Sequence, residues 1–415
     1  MVESSSDLVV KAKESKSLCS LPWVHLATHP IGTVTPCCLT DMTDGMSTSS
    51  TDYDDRVHYF LGKDKLETIA NSTKFKKLRK EMINGTFPKM CQKCYRYEDA
   101  GVESKRQEAN EQYGKYLDEF ISGTNPDGEI TKLEYRYIEL RLGAVCNLKC
   151  VTCNPFSSNR WNQDVHVFKG TDFEKDYFNN EIKTEWYRDL NFYDELLTKS
   201  KNLEEIWING GEPTLIKEHG YFLQKLIDNG QSKNIKLHYS LNSTKFPDSF
   251  IQMWEKFKKV RIQISIDDIE DRNFYVRFPS DWEVIMSAFS KIVKYKDIFD
   301  LEICQTVSAL NVYNLTRFKE YFDKHHLPIS HNYVHYPTHL QVNILPEELK
   351  KKVLNRNSKL ADFEINKLTT ELNKPLEKTA YSRFISYINL LDRAREVKIT
   401  DYLPEWEPYF YRTYE

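Results

Sequence analysis

From residue 132 to residue 340 the chain repeats one pattern: a short apolar run alternating with period 2, then a longer stretch with helical spacing. Period 2 marks a strand with one buried face, and period 3.6 marks an amphipathic helix. The strand-like runs are 135–142, 204–209, 236–242, 260–266, 301–307 and 329–334. The spacing predicts helices over 182–200, 214–229, 247–257, 281–296 and 312–325. β-then-α units in series require parallel strands with helices outside, so the fold class is α/β and the architecture a barrel or partial barrel. Functional groups in such folds gather at the C-terminal ends of the strands.

The first strand end carries Cys146-Asn-Leu-Lys-Cys150-Val-Thr-Cys153, a C-x3-C-x2-C loop. Thiolates suit zinc, copper(I) or an iron–sulfur cluster. Structural zinc takes four ligands. Three cysteines without a near fourth suit a cubane with one iron left open, against a zinc knuckle or a chance grouping. The second strand ends in Asn209-Gly210-Gly211-Glu212-Pro213, where two glycines permit close backbone approach and a carboxylate can meet an ammonium group. The third ends at Asn242, and the fourth in Ser265-Ile-Asp267-Asp268 with Arg277 downstream, whose planar fork suits a carboxylate. Turn-forming and helix-capping roles for these residues are the plainer alternative.

A second cysteine group precedes the alternating region. Cys19 is followed after twelve residues by Gly32 and after four more by Cys37, then Cys38. Two short strands, Trp23–Thr28 and Gly32–Thr35, joined by His29-Pro-Ile-Gly32, return the chain on itself and bring Cys19 and Cys37 together. Cys91-Gln-Lys-Cys94 completes a four-thiolate set that an iron–sulfur cluster or a structural zinc could occupy. Cys38 is a spare thiol or an alternative ligand. Cys304, within an apolar run, reads as a core cysteine.

The triplet, with Gly-Gly-Glu after the next strand, resembles the radical S-adenosylmethionine (SAM) superfamily. That resemblance implies a radical SAM (β/α)6 partial TIM barrel with a [4Fe–4S] cluster on Cys146, Cys150 and Cys153. It also implies SAM contacts from Gly210, Gly211, Glu212, Pro213, Asn242, Ser265, Asp267 and Arg277, with Asn311 near the adenosine. The family often has an aromatic residue just before the third cysteine; Thr152 stands there. The C-x12-G-x4-C spacing with Cys91 and Cys94 resembles the Twitch/SPASM auxiliary-cluster module, in its one-cluster form, and implies a second [4Fe–4S] cluster. In most relatives that module follows the barrel; here it precedes it. The resemblance implies reductive SAM cleavage to a 5′-deoxyadenosyl radical and hydrogen abstraction from a peptide or protein. It also implies an external electron donor such as flavodoxin or ferredoxin. Two other readings stand beside it: a dehydrogenase or epimerase of a small carbohydrate-type substrate, and a non-enzymatic zinc-stabilised binding protein.

The 415 residues accommodate a flexible arm (1–17), a small α+β module (18–122), a linker (123–131), the barrel (132–340) and a helical C-terminal extension (341–415). Within these, the periodicity predicts helices over 64–84, 95–122, 345–373 and 379–395, and an Asp/Ser/Thr-rich loop over 40–57. His331, Tyr333 and His335 alternate onto one face and are the substrate-pocket expectation. A net charge of −3 gives no electrostatic footprint for nucleic acid. No apolar run is long enough to span a membrane. Nine cysteines without a signal peptide point to the cytoplasm and to metal ligation.

Overall fold

The computed structural model describes residues 15–40, 59–177 and 185–410. Eight strands form one sheet in the order β2-β1-β3-β4-β5-β6-β7-β8. They are β1 (His25–Thr28), β2 (Val34–Thr35), β3 (Tyr137–Arg141), β4 (Glu205–Asn209), β5 (Lys236–Leu241), β6 (Lys259–Ser265), β7 (Asp300–Val307) and β8 (Ile329–Tyr333). From β1 through β3 to β8 every neighbouring pair is parallel; β2 is antiparallel to β1. The sheet stays open, with β2 and β8 as its edges. All six strands expected between 132 and 340 are present, each within two residues of its expected ends.

Period 2 sorts the side chains. Ile138, Leu140, Ile206, Ile208, Ile262, Ile264 and Ile303 are fully buried toward the helices, as a half-buried pleated surface requires. The opposite parity, Glu139, Trp207, Ser240, Gln263, Glu302 and Cys304, lines the barrel interior. There Trp207 stacks on His238, and Ser240 donates to Gln263.

The N-terminal region holds α1 (Leu66–Ala70), α2 (Thr73–Ile83), α3 (Gln92–Asp99), α4 (Lys105–Tyr113) and α5 (Leu117–Ser122). The helix expected over 64–84 breaks at Asn71-Ser72. The Asn71 amide makes two hydrogen bonds of 3.0 Å to the Ile130 backbone, a use that competes with continuing a helix. The helical region expected over 95–122 is three pieces, interrupted at Gly101, with φ +72°, and Gly114. Trp23-Val24, expected as strand, ends a short helical turn that has Pro22 in its first turn. The 123–131 linker is docked: buried Arg79 donates to the carbonyls of Gly128, Pro22 and Ala70. A Cβ on Gly128 would stand 2.0 Å from the Lys76 carbonyl oxygen.

The barrel helices are α6 (Leu190–Thr198), α7 (Lys217–Asp228), α8 (Asp248–Trp254), α9 (Glu270–Val276), α10 (Trp282–Ile292) and α11 (Leu315–Phe322). The C-terminal extension holds α12 (Glu347–Arg356), α13 (Asp362–Leu372) and α14 (Ala380–Arg395). The single helix expected over 345–373 is split because Asn357 binds Thr316 and Val312 of the barrel with its side-chain amide. Two apolar cores result. One lies between sheet and helices. The other joins the extension, through Phe384, Tyr387 and Trp406, to Val151, Trp161 and Phe168 around the cysteine triplet. Residues 1–14, most of the expected 40–57 loop and the start of the expected 182–200 helix lie outside the described residues.

Candidate radical cluster and cofactor site

At the C-terminal ends of the strands lies an open cavity of about 530 Å³. Cys146, Cys150 and Cys153 form one wall, and Gly210, Gly211, Asn242, Arg277 and Thr306 another. The turn Asn209–Glu212 is woven to the start of the cysteine loop: Gly211 N–H donates to the Gly143 carbonyl and Glu212 N–H to the Val145 carbonyl at 2.6 Å. Both glycines are required. A Cβ on Gly211 would sit 2.2 Å from the Val145 oxygen, and Gly210 has φ +102°, where a Cβ would sit 2.6 Å from Leu142 N.

Cys146 Sγ accepts from Leu148 N–H at 3.4 Å and from the Asn242 amide at 3.7 Å. Burial pushes the Cys150 thiol up to about 11 and Cys153 to about 12. Without a metal these thiols are protonated, so cluster binding must release protons. Among the described residues no three or more His, Cys, Asp or Glu side chains are grouped as a metal-ion site. Instead the three thiols line a volume, and that volume also holds backbone and cationic groups.

Arg277 is one of two arginines that line the cavity. It is 7% exposed, its Nη1 donates to Asp267 Oδ2 at 2.9 Å, and its Nε is buried without a partner. A buried unpaired guanidinium N–H is costly, which marks it as a group awaiting an acceptor. Asp267 itself stays behind the cavity wall: its other oxygen accepts from Thr306 N–H at 2.8 Å, so it orients Arg277. Glu212 is likewise turned inward. Its oxygens accept from Thr214 N–H and O–H and from Asn242 N–H, and burial raises its carboxyl above the usual range. Glu212, Pro213, Ser265 and Asp267, expected to touch SAM, are not among the cavity-lining residues, and Glu212 and Asp267 support those that are. Asn311, expected near the adenosine, is fully buried and ties the Asp267 and Thr306 carbonyls.

The histidine expectation is corrected as well. His331 is in register with Gln305, on the outer face of β8, and meets Gln305 Oε1 at 2.7 Å and Glu364 of α13 at 3.7 Å. Tyr333 shares that face and His335 is exposed. Cys304 is not a core residue but points into the barrel, accepting from the Asn332 amide.

Periodicity alone did not disclose several neighbours. His29 and Pro30, from the turn between β1 and β2, and Arg141 at the end of β3 line the cavity. Burial, then Arg141, holds His29 down at about 4, so it is neutral there at pH 7. Behind the cysteine loop, Asp164 accepts from Lys149 Nζ at 2.5 Å and from Arg395 Nε at 2.7 Å. Arg395 also donates to the Lys149 carbonyl, and Tyr387 to the Val151 carbonyl. Two residues of α14 therefore grip the backbone on both sides of Cys150.

Cys19, Cys37, Cys91 and Cys94 line one small, otherwise apolar pocket with Leu21, Met90 and the aliphatic stems of Lys105 and Arg106. The structure thus gathers all four expected thiols. Burial raises Cys19 to about 12 and Cys37 and Cys91 upward as well. Cys38 is not among the residues that line this pocket.

The sequence matches the radical SAM superfamily model over residues 140–320 and an iron–sulfur cluster-binding (SPASM) domain over residues 19–95. Residues 140–320 therefore form a radical SAM domain, preceded by a SPASM domain. The radical SAM domain implies a [4Fe–4S] cluster and SAM, and the SPASM match implies an auxiliary iron–sulfur cluster. No curated protein matches. Among solved structures, the chain is similar to native anSMEcpe with bound AdoMet (16% identity, 63% of this chain and 62% of that one, TM-score 0.34). It is also similar to Streptococcus suis SuiB (13%, 75% and 68%, TM-score 0.33) and to coproporphyrinogen III oxidase (HemN) from Escherichia coli (11%, 63% and 53%, TM-score 0.32). The chain spans about three fifths of the length of the anSMEcpe structures it matches. No described helix is long and apolar enough to cross a membrane.

Proposed function

We propose that the cavity binds SAM beside a [4Fe–4S] cluster held by Cys146, Cys150 and Cys153 and that the chain is a radical SAM enzyme acting on a peptide or protein. The observation that carries this reading is the juxtaposition, in one cavity, of three thiols and Arg277, whose Nε has no partner. A cluster held there would supply the single electron for reductive cleavage of SAM and, through it, hydrogen abstraction from the substrate. The chain's residues do the rest. Arg277, fixed by Asp267, offers its free N–H to the SAM carboxylate, a charge-assisted bond. Gly210 and Gly211 let backbone approach the amino group. Glu212 acts at one remove, holding the Asn242 backbone and the Gly-Gly turn. Asn242 donates toward Cys146 and so favours the thiolate. A peptide substrate is supported by the SPASM module, which is common among peptide-modifying members of the superfamily.

Anaerobic reconstitution followed by assay of 5′-deoxyadenosine tests this. Cys146→Ala, Cys150→Ala and Cys153→Ala should each abolish release. Arg277→Met should weaken SAM binding by about tenfold to a hundredfold, the worth of a hydrogen bond to a charged group, while iron content stays near that of the parent. Zinc uptake without iron, or no deoxyadenosine from an iron-loaded chain, would sink the reading.

A further inference from the structure

Charge is unevenly placed on this molecule. Between Thr73 and Tyr97 stand eight Lys and Arg and one acidic residue, Glu81, although the whole chain carries a net charge of −3. Arg79 is buried, and Lys76 is paired with Asp127 and Glu129. Lys77, Lys80, Lys89, Lys93 and Arg96 are exposed. Among them two large apolar side chains also face solvent, Phe87 at 54% and Tyr97 at 41%.

This surface lies over the auxiliary site. Lys89 opens the 3-10 turn that ends at Cys91, and Lys93 precedes Cys94 in the first turn of α3. Lys89, Lys93, Arg96 and Tyr97 recur at helical spacing, so they share one outer face while Cys94 turns inward to the four-thiol pocket. Ser17 joins α2 to the same patch: its hydroxyl donates to the Met82 carbonyl, and its own carbonyl accepts from Tyr95 at 3.0 Å. A lone lysine run is a solvated face. Here the sign opposes that of the chain, since Glu98 of the same helix is paired with Arg106 and Asp99 is the one exposed acid beside Arg96; two exposed aromatics stand among the cations, and Cys91 and Cys94 tie the segment to the four-thiol pocket.

We propose that this face docks an acidic one-electron carrier protein and that electrons enter the molecule through the auxiliary cluster. The proposal rests on the iron–sulfur reading of that site. The basic ring steers an acidic partner, and Phe87 and Tyr97 supply apolar contact once the ring has oriented it. In the transfer the carrier loses one electron and the oxidised auxiliary cluster gains it; no bond forms or breaks.

The test uses the reconstituted full chain and a flavodoxin reduced to its hydroquinone, with reduction followed by stopped flow. Lys89→Glu, Lys93→Glu and Arg96→Glu combined should slow the second-order rate by about tenfold or more at low salt, within the range electrostatic steering commands. The gap should close as salt rises, because exposed charges are screened. The Gln triple variant should show a smaller loss. Iron content and reduction by dithionite, which needs no docking face, should stay as in the parent. Equal flavodoxin rates in parent and Glu variant would overturn the docking face, as they would if a nucleic acid or anionic peptide used it instead. A parent chain that binds no iron on Cys19, Cys37, Cys91 and Cys94 would overturn the auxiliary-cluster reading itself, and the docking proposal with it.

Discussion

Arg395 is the residue whose loss should tell most about how the radical site is held. Its side chain is 2% exposed, Asp164 is 1% and Lys149 is 8%, so the three charges form a buried triad behind the cysteine loop. Arg395→Met removes one cation and the donor to the Lys149 carbonyl. Breaking a buried pair costs about 3–5 kcal/mol because the remaining charge stays desolvated. Lys149 still neutralises Asp164, so the lower end applies and the expected loss is about 3 kcal/mol, the stranded carbonyl included. The assay is the urea midpoint of the iron-free chain, followed by circular dichroism. Iron content after reconstitution should fall too, since Lys149 and Val151 flank Cys150 and both lean on α14. A combined Lys149→Met, Asp164→Leu and Arg395→Met variant should recover most of the stability, as apolar replacement of a buried ion group commonly does. If Arg395→Met lies within about 0.5 kcal/mol of the parent, a surface-like effect, or if the triple variant is no better than the single, the triad is not what secures the loop.

Three other outcomes are expected. Gly211→Ala should displace Val145, one residue before Cys146, costing about 1–3 kcal/mol of overpacking and reducing iron uptake; unchanged uptake would refute the close-approach reading. Anaerobic iron uptake should rise steeply from pH 7 to pH 8.5, because thiols raised to about 11 and 12 must shed protons to bind; a flat profile would contradict it. Burial raises the Asp392 carboxyl to about 6 against a Tyr275 hydrogen bond of 2.7 Å. A raised carboxyl stabilises the fold below its unfolded value and loses that contribution as pH climbs through the folded one. Stability should therefore decline by about 2 kcal/mol between pH 4 and pH 6 from this group, and the difference between parent and Asp392→Asn in urea midpoints across that window measures it.

Much of this was readable because it is local. Strand and helix periods are set by residues within one turn or one pleat, and the cysteine spacings and Gly210-Gly211 are short-range patterns. The face of His331 was readable too: Ile329 and Tyr333 have its parity, and their apolar character puts that parity against the helices rather than in the barrel. What spacing does not carry is pairing across distance. Nothing near Cys150 announces that Arg395 will grip its loop, and nothing in 122–128 announces that Gly128 is pressed onto α2.

The order of the two cysteine groups along the chain is the sharper case. A module that precedes the barrel looks detachable, yet β1 pairs in parallel with β3 through His25↔Tyr137 and Ala27↔Glu139 and so extends the barrel sheet. That pairing has two consequences from one register. The turn after β1 delivers His29 and Pro30 to the cavity of the radical site, while the hairpin's return places Cys37 in the four-thiol pocket. Arg141, at the end of β3, lines that cavity too. The hairpin is therefore the shared wall between the two cysteine sites, and a change in the β1–β3 register would move both at once.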